Sequence, residues 1–196
     1  QRYIAGPDVG TGDPAISAAI IKEADRVQDI LGRPKVGNRG RMLATTGRAK
    51  EDGGFPHAEL AVTSRTVVET MLAALTNLDL LKEMGIGEDG PITIAIEGFG
   101  DVGSGIIHVL FEFLENSPQE YAKVIQRIRI VSVSNITGAI YNKDGRDIKE
   151  LIRLREQWLA TGKDPDLTKE YKGTADVHEG KKNGQWPLFC GATVII

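Results

Sequence analysis

From Ser64 to Met84 the apolar residues Val68, Met71, Leu72, Leu75, Leu78 and Leu81 recur at steps of three and four, the spacing that lines up one face of an α-helix. Gly85 stops this run, as a glycine just beyond a helix end commonly does. Ile92 to Ile96 follows a different rule: it is a short β-branched run, suited to a buried strand. Gly103 to Leu114 is apolar almost all round, which predicts a helix packed tightly against a sheet. The segment SPQEYAKVIQR adds a second helical piece, and IRIVSV from Ile128 to Val133 a second strand. After a turn at Lys143-Asp144-Gly145, a further helix is expected from about Asp147 to Leu159. Residues 162 to 188 are polar and turn-rich, and Ala192 to Ile196 supplies a third strand. Strands that alternate with helices need crossover connections, so the pattern predicts a parallel sheet.

Towards the start of the chain, Tyr3 to Ala5 reads as a short strand entering a Gly/Pro turn. Pro14 to Leu31 reads as a helix, with Asp13 as its N-cap and Pro14 at the first helical position. Residues 32 to 62 lack periodicity and carry six arginines and lysines from Arg33 to Lys50. A stretch of this length without regular structure is expected to be a functional loop or to lie against another domain.

Composition narrows the function classes. With 41% hydrophobic, 26% charged and 6% aromatic residues in 196, the chain can bury the core of one α/β domain. The formal charge is −3 and the basic residues are scattered, which argues against a broad surface for nucleic acid or an anionic membrane. Cys190 is the single cysteine, so no internal disulfide can form and a reducing, cytoplasmic compartment is expected. Every apolar run is shorter than about 18 residues. His57, His108 and His178 are far apart and show no metal-ligand spacing. His108 is expected to be a packing or surface residue, Cys190 a small core residue, and Trp158 and Trp186 the lids of small apolar clusters. The chain begins at Gln1 rather than methionine and stops inside the apolar run ATVII, and so reads as a piece of a longer protein.

The chemistry concentrates at the joint between Ile92–Ile96 and the apolar helix. Gly98-Phe99-Gly100-Asp101-Val102-Gly103 has the spacing G-x-G-x-x-G. A glycine inside a regular element costs about 0.5–1 kcal/mol, so three at one strand-to-helix joint point to a geometric demand. A dinucleotide site supplies it: the first glycine makes a tight turn, the second admits a diphosphate close to the backbone, and the third lets helix and strand approach. The uncapped N–H groups of the helix then face the phosphates. Glu97 lies beside this site without being a phosphate ligand. The fold expected is α/β, a Rossmann-like doubly wound, mostly parallel sheet with flanking helices. At the end of the second strand stand Ser134 and Asn135, where such folds often place an acid on the ribose 2′-hydroxyl. Asn135 is neutral and leaves NAD and NADP both open.

Asp8, in PDVGTGD, is flanked by Pro7 and by Val9-Gly10. It fits either a turn aspartate or a carboxylate held at a cleft edge, where it could relay protons during hydride transfer.

Four stretches, RYIAGPDVGTGD, TIAIEGFGDVGSG, VSVSNITGAIYNKDGRDIKEL and LFCGATVII, resemble in order and spacing the glutamate/leucine/phenylalanine/valine dehydrogenases. The resemblance spans Gln1 to Ile196. It implies NAD- or NADP-dependent oxidative deamination of an L-amino acid, glutamate foremost, to a 2-oxo acid and ammonia. It implies Asp8 as the proton-relaying residue, and Gly98, Phe99, Gly100, Asp101, Val102, Gly103, Ser134 and Asn135 at the cofactor. In AVTSRTVVE, Thr63 matches the threonine that approaches the cofactor, while Ser64 and Thr66 replace two glycines. The resemblance further implies a substrate-binding domain outside these residues, a homo-oligomer in the full-length protein, and a chain that is inactive by itself. A nucleotide-binding regulatory or interaction module that has lost catalysis is the alternative; Ser64 and Thr66 favour it and the intact PDVGT opposes it.

Overall fold

The computed structural model describes residues 14–33, 50, 54–57, 59–116 and 119–196. The expected strand Tyr3–Ala5, the cap Asp13 and most of the basic stretch from 33 to 50 lie outside the described residues, as does Asp8. The chain divides into two compact units, Gln1–Val62 and Thr63–Ile196.

In the first unit, helix α1 runs Pro14–Ile30. It ends one residue before the expected Leu31 because Gly32 takes φ +59° and its N–H bonds back to Asp29 O at 3.1 Å, a left-handed exit open to glycine.

The second unit is built on a sheet of five strands, β1 (Ile92–Glu97), β2 (Ile128–Asn135), β3 (Gly138–Tyr141), β4 (Asp176–Glu179) and β5 (Val194–Ile195), in the order β4-β3-β2-β1-β5. Both β2 and β5 run parallel to β1, whereas β3 is antiparallel to β2 and β4 antiparallel to β3. Four of the five strands therefore point the same way, in a mixed, mostly parallel sheet. The expected pattern held three of these strands. The pair β3 and β4 is the addition, and neither strand carries a strong local signal: GAIY starts on a glycine and DVHE is polar and largely exposed on the sheet edge. Gly138 is required at the bend into β3. It has φ +142°, and a Cβ there would lie 2.2 Å from His178 O.

Central β1 is apolar throughout its buried part, with Ile92, Ile94, Ala95 and Ile96 all at 0% exposure, as expected of a strand covered on both faces. Between β1 and β2 stand α4 (Asp101–Glu115) and the single turn α5 (Ala122–Ile125). Helix α4 begins two residues before the expected Gly103, because Gly100 already serves as its N-cap. It buries Ile106, Ile107, Val109 and Leu110, which accounts for its nearly uniform apolar character. After β3 come α6 (Ile148–Thr161), α7 (Leu167–Glu170) and, past β4, a 3-10 segment Lys181–Phe189. Asp147 caps α6, accepting from Lys149 N at 2.9 Å and Glu150 N at 3.3 Å, and Gly162 ends it at φ +66°.

The expected helix Ser64–Met84 is two helices, α2 (Val62–Leu75) and α3 (Leu78–Glu83). Asn77 makes the break, its side chain accepting from Asp79 N at 3.1 Å and Leu80 N at 3.2 Å. A side-chain amide that can cap the next helix competes with continuing the present one. Leu78, counted on the buried face, is 63% exposed, and Leu81 is the residue of α3 that enters the core. The last strand is shorter than Ala192–Ile196, although Glu97 N still donates to Ile196 O at 2.7 Å. Cys190 is half-buried rather than in the core, its thiol 3.1 Å from Pro187 O.

Candidate dinucleotide site

The chain leaves β1, forms β2 on one side and later β5 on the other. The strand order thus reverses at the carboxyl end of β1, where neighbouring loops diverge and open α/β sheets leave a crevice. A cleft of about 600 Å³ opens there, lined by Glu97, Gly98, Phe99, Gly100, Ser134, Asn135, Ile136, Asp164, Gly184 and Gln185.

The three glycines differ in geometry. Gly98 adopts φ +99°, a turn that side-chain-bearing residues rarely make. Gly100 is the N-cap of α4 with φ −92°, and a Cβ on it would meet nothing within 4 Å; its bare backbone faces open space. Gly103 is the opposite case. A Cβ there would stand 1.8 Å from Gly98 O and 3.1 Å from Ile96 Cγ2, so only glycine lets the first turn of α4 lie against the strand exit. Gly100 offers no side chain to cap the first turn of α4, and the positive end of the helix is left for an anion. An extended diphosphate fits this arrangement of bare cap, open space and amide donors.

Asp101 and Val102 belong to that first turn, and Phe99 is 1% exposed beneath it. Asp101 is in electrostatic contact with Arg155 of α6, which is 3% exposed. Burial works against the Arg155 charge, and Asp101, Glu112 and Glu156 work in its favour. A cation thus sits behind the first turn of α4, where it offsets the Asp101 carboxylate. Arg155 was not legible as a site residue, because it sits in an ordinary helical pattern 54 positions away (Arg155 against Asp101).

Ser64 is buried and its hydroxyl donates to Val102 O at 2.8 Å, joining the start of α2 to the first turn of α4. Thr63, beside it, is exposed at this junction and is not among the cleft-lining residues.

The far wall is formed by long-range contacts. Ser134 Oγ donates to Gly184 O, and Gly184 approaches β2 so closely that a Cβ would lie 3.0 Å from Asn135 O. Trp186, two residues on, stacks on His178 with ring centres 4.2 Å apart and packs on Tyr141 at 4.7 Å. Asn135 holds the turn after β2: its Oδ1 accepts from Thr137 N at 2.9 Å and Thr137 Oγ1 at 2.6 Å, and its Nδ2 donates to Pro165 O at 2.7 Å. The last bond brings the loop after α6 to the end of β2. Asp164, Gly184 and Gln185 were missed because only this folding-back brings them to the glycine turn, while Ile136 simply follows Asn135.

Residues 53–183 match the family model described as Glutamate/Leucine/Phenylalanine/Valine dehydrogenase. The chain belongs to this family. Two solved structures share the fold, and a third is matched more weakly. A glutamate dehydrogenase superposes with a TM-score of 0.51 and 20% identity over 90% of this chain and 34% of that one. The enzyme of Plasmodium falciparum gives 0.51 and 15% over 91% and 32%, and a hetero-hexameric glutamate dehydrogenase of Thermus thermophilus, leucine-bound, gives 0.47 and 21% over 83% and 31%. The chain spans about a third of the length of these family structures. No helix among the described residues is long and apolar enough to cross a membrane, and no group of three or more metal-ligating side chains occurs among them.

Proposed function

We propose that this chain is the cofactor-binding part of an NAD- or NADP-dependent amino-acid dehydrogenase that deaminates an L-amino acid, glutamate foremost, to a 2-oxo acid and ammonia. The observation that carries this reading is the bare, positively polarised N-terminus of α4, opening onto the cleft where the strand order reverses. The family match supports the reaction class.

In this reading the amide groups after Gly98 and Gly100 receive the diphosphate, Ser134 and Asn135 mark the adenosine ribose end, and Thr63 stands at the approach to the cofactor. The nicotinamide supplies the hydride chemistry when bound. Asp8 relays the proton that leaves the substrate nitrogen, a task that requires a carboxylate within hydrogen-bond reach. Substrate selectivity belongs to residues of a further domain, and the working protein is a homo-oligomer. Its compartment is the reducing cytoplasm, in keeping with a single, half-buried cysteine.

Titration with NADH and NADPH tests the site. Trp186 adjoins Gln185 on the cleft wall, so its fluorescence should change on binding, and melting should rise by mass action. In amino-acid oxidation by the full-length protein, Asp8→Asn is expected to lose about a hundredfold or more in kcat while cofactor affinity is kept. Unchanged turnover would remove Asp8 from the mechanism, and no binding of either cofactor would overturn the proposed function.

A further inference from the structure

We infer that Asp164 is the residue that selects the cofactor, accepting the hydroxyls of the adenosine ribose and giving the chain a preference for NAD over NADP. The inference deepens the dinucleotide reading above and rests on it.

A ribose diol is held most firmly by an acceptor that takes its O–H groups, which is why an acid so often stands at the end of the second strand. Asn135 occupies that place without an acceptor to spare. Both lone-pair directions of its Oδ1 are used by Thr137, and one of its two amide hydrogens by Pro165 O. Asn135 can offer the ribose one N–H and nothing more. Ser134 is fully buried, with its hydroxyl turned to Gly184 O.

Two carboxylates remain on the cleft wall, Glu97 and Asp164. Glu97 ends β1 next to Gly98 and so belongs to the phosphate side. Asp164 precedes Pro165, the residue that Asn135 holds at 2.7 Å, and therefore stands at the ribose side. Asp164 is exposed and has no hydrogen-bond or ion-pair partner among the described residues, whereas Pro165 behind it is buried. The position is thus anchored and its carboxylate available. A carboxylate accepting an O–H makes a charge-assisted hydrogen bond; the same carboxylate beside a 2′-phosphate meets a like charge. The acid missing from β2 is supplied by the loop after α6, and Asn135 is the tether that brings it there.

The test is calorimetric or fluorescence titration of the full chain, and of its Asp164→Asn and Glu97→Gln variants, with NADH and NADPH. The parent chain is expected to bind NADH about tenfold or more tightly than NADPH, and Asp164→Asn to bring the two within about threefold, chiefly by strengthening NADPH and weakening NADH. Because Asp164 is exposed, the variant should keep the parent melting temperature. Binding of both cofactors with a ratio that Asp164→Asn leaves unchanged, or that Glu97→Gln abolishes instead, would overturn the assignment while leaving the dinucleotide site intact. Failure of the parent chain to bind either cofactor would overturn the dinucleotide reading and this inference together.

Discussion

Replacing Gly103 with alanine, against the same change at Gly100, separates packing from ligand binding within one motif. At Gly103 the added methyl would lie 1.8 Å from Gly98 O, 3.0 Å from Gly98 C and 3.1 Å from Ile96 Cγ2. Non-bonded carbon prefers a separation of about 3.5 Å, so about 1.7 Å must be found by moving backbone against backbone. Neither partner is the free end of a flexible side chain. Overpacking of this kind costs about 1–3 kcal/mol, and the backbone obstacle puts Gly103→Ala at the upper end, about 3 kcal/mol. The displaced turn also carries its amides away from the proposed diphosphate position, so NADH affinity should fall by about tenfold or more. At Gly100 φ is −92° and a methyl meets nothing within 4 Å; Gly100→Ala should keep stability to within about 1 kcal/mol. Its methyl would stand in the open space where the proposed diphosphate lies, and NADH affinity should still fall. Urea unfolding followed by tryptophan fluorescence gives stability, and titration calorimetry gives affinity. Gly103→Ala with parental stability would refute the close-approach argument. Gly100→Ala with parental NADH affinity would refute the cradle.

Two further outcomes follow from the wall of the site and from α4. Asn135→Ala removes three hydrogen bonds, to Pro165 O and from Thr137 N and Oγ1; a loss of about 1–2 kcal/mol in urea unfolding is expected, with weaker NADH binding as the Asp164 loop is released. His108 is held below its usual pKa, first by burial and then by Arg155, although Glu112 Oε1 is 3.2 Å from its Nε2; Glu112 is also engaged by Arg65. With the folded value depressed, the unfolded chain binds the proton more readily. Stability is therefore complete above about pH 6.5 and declines as pH falls from there towards the folded value. The drop in melting temperature between about pH 7.5 and 5.5 should be smaller in His108→Gln than in the parent; an equal drop would place the pH sensitivity elsewhere.

Much of the protein was determined by short-range rules. Ile92–Glu97, the glycine turn and the apolar α4 follow from β-branching, from the need for positive φ at Gly98 and from burial on all sides, and each is visible within a dozen residues. The same rules singled out Gly98, Gly100 and Gly103 and the end of β2 as the candidate site. They misjudged Ser64–Met84, where the apolar spacing runs straight through Asn77 and gives no warning that a side-chain cap restarts the helix. They also passed over β3 and β4, because a strand such as DVHE on a sheet edge is made by its partner's hydrogen bonds rather than by its own residues.

Tertiary structure decided the rest of the site. Asp164 comes from a loop 66 positions beyond Gly98, and Gly184 and Gln185 from the 3-10 segment 86 and 87 positions beyond it, and nothing in their local sequence marks them. They reach the cleft because Asn135 binds Pro165 and Ser134 binds Gly184. Arg155 likewise becomes a partner of Asp101 only when α6 packs beside α4. The backbone demands of a phosphate turn are local and can be read in a row of glycines. The charges that surround it are placed by contacts between distant segments, and these exist only in the folded chain.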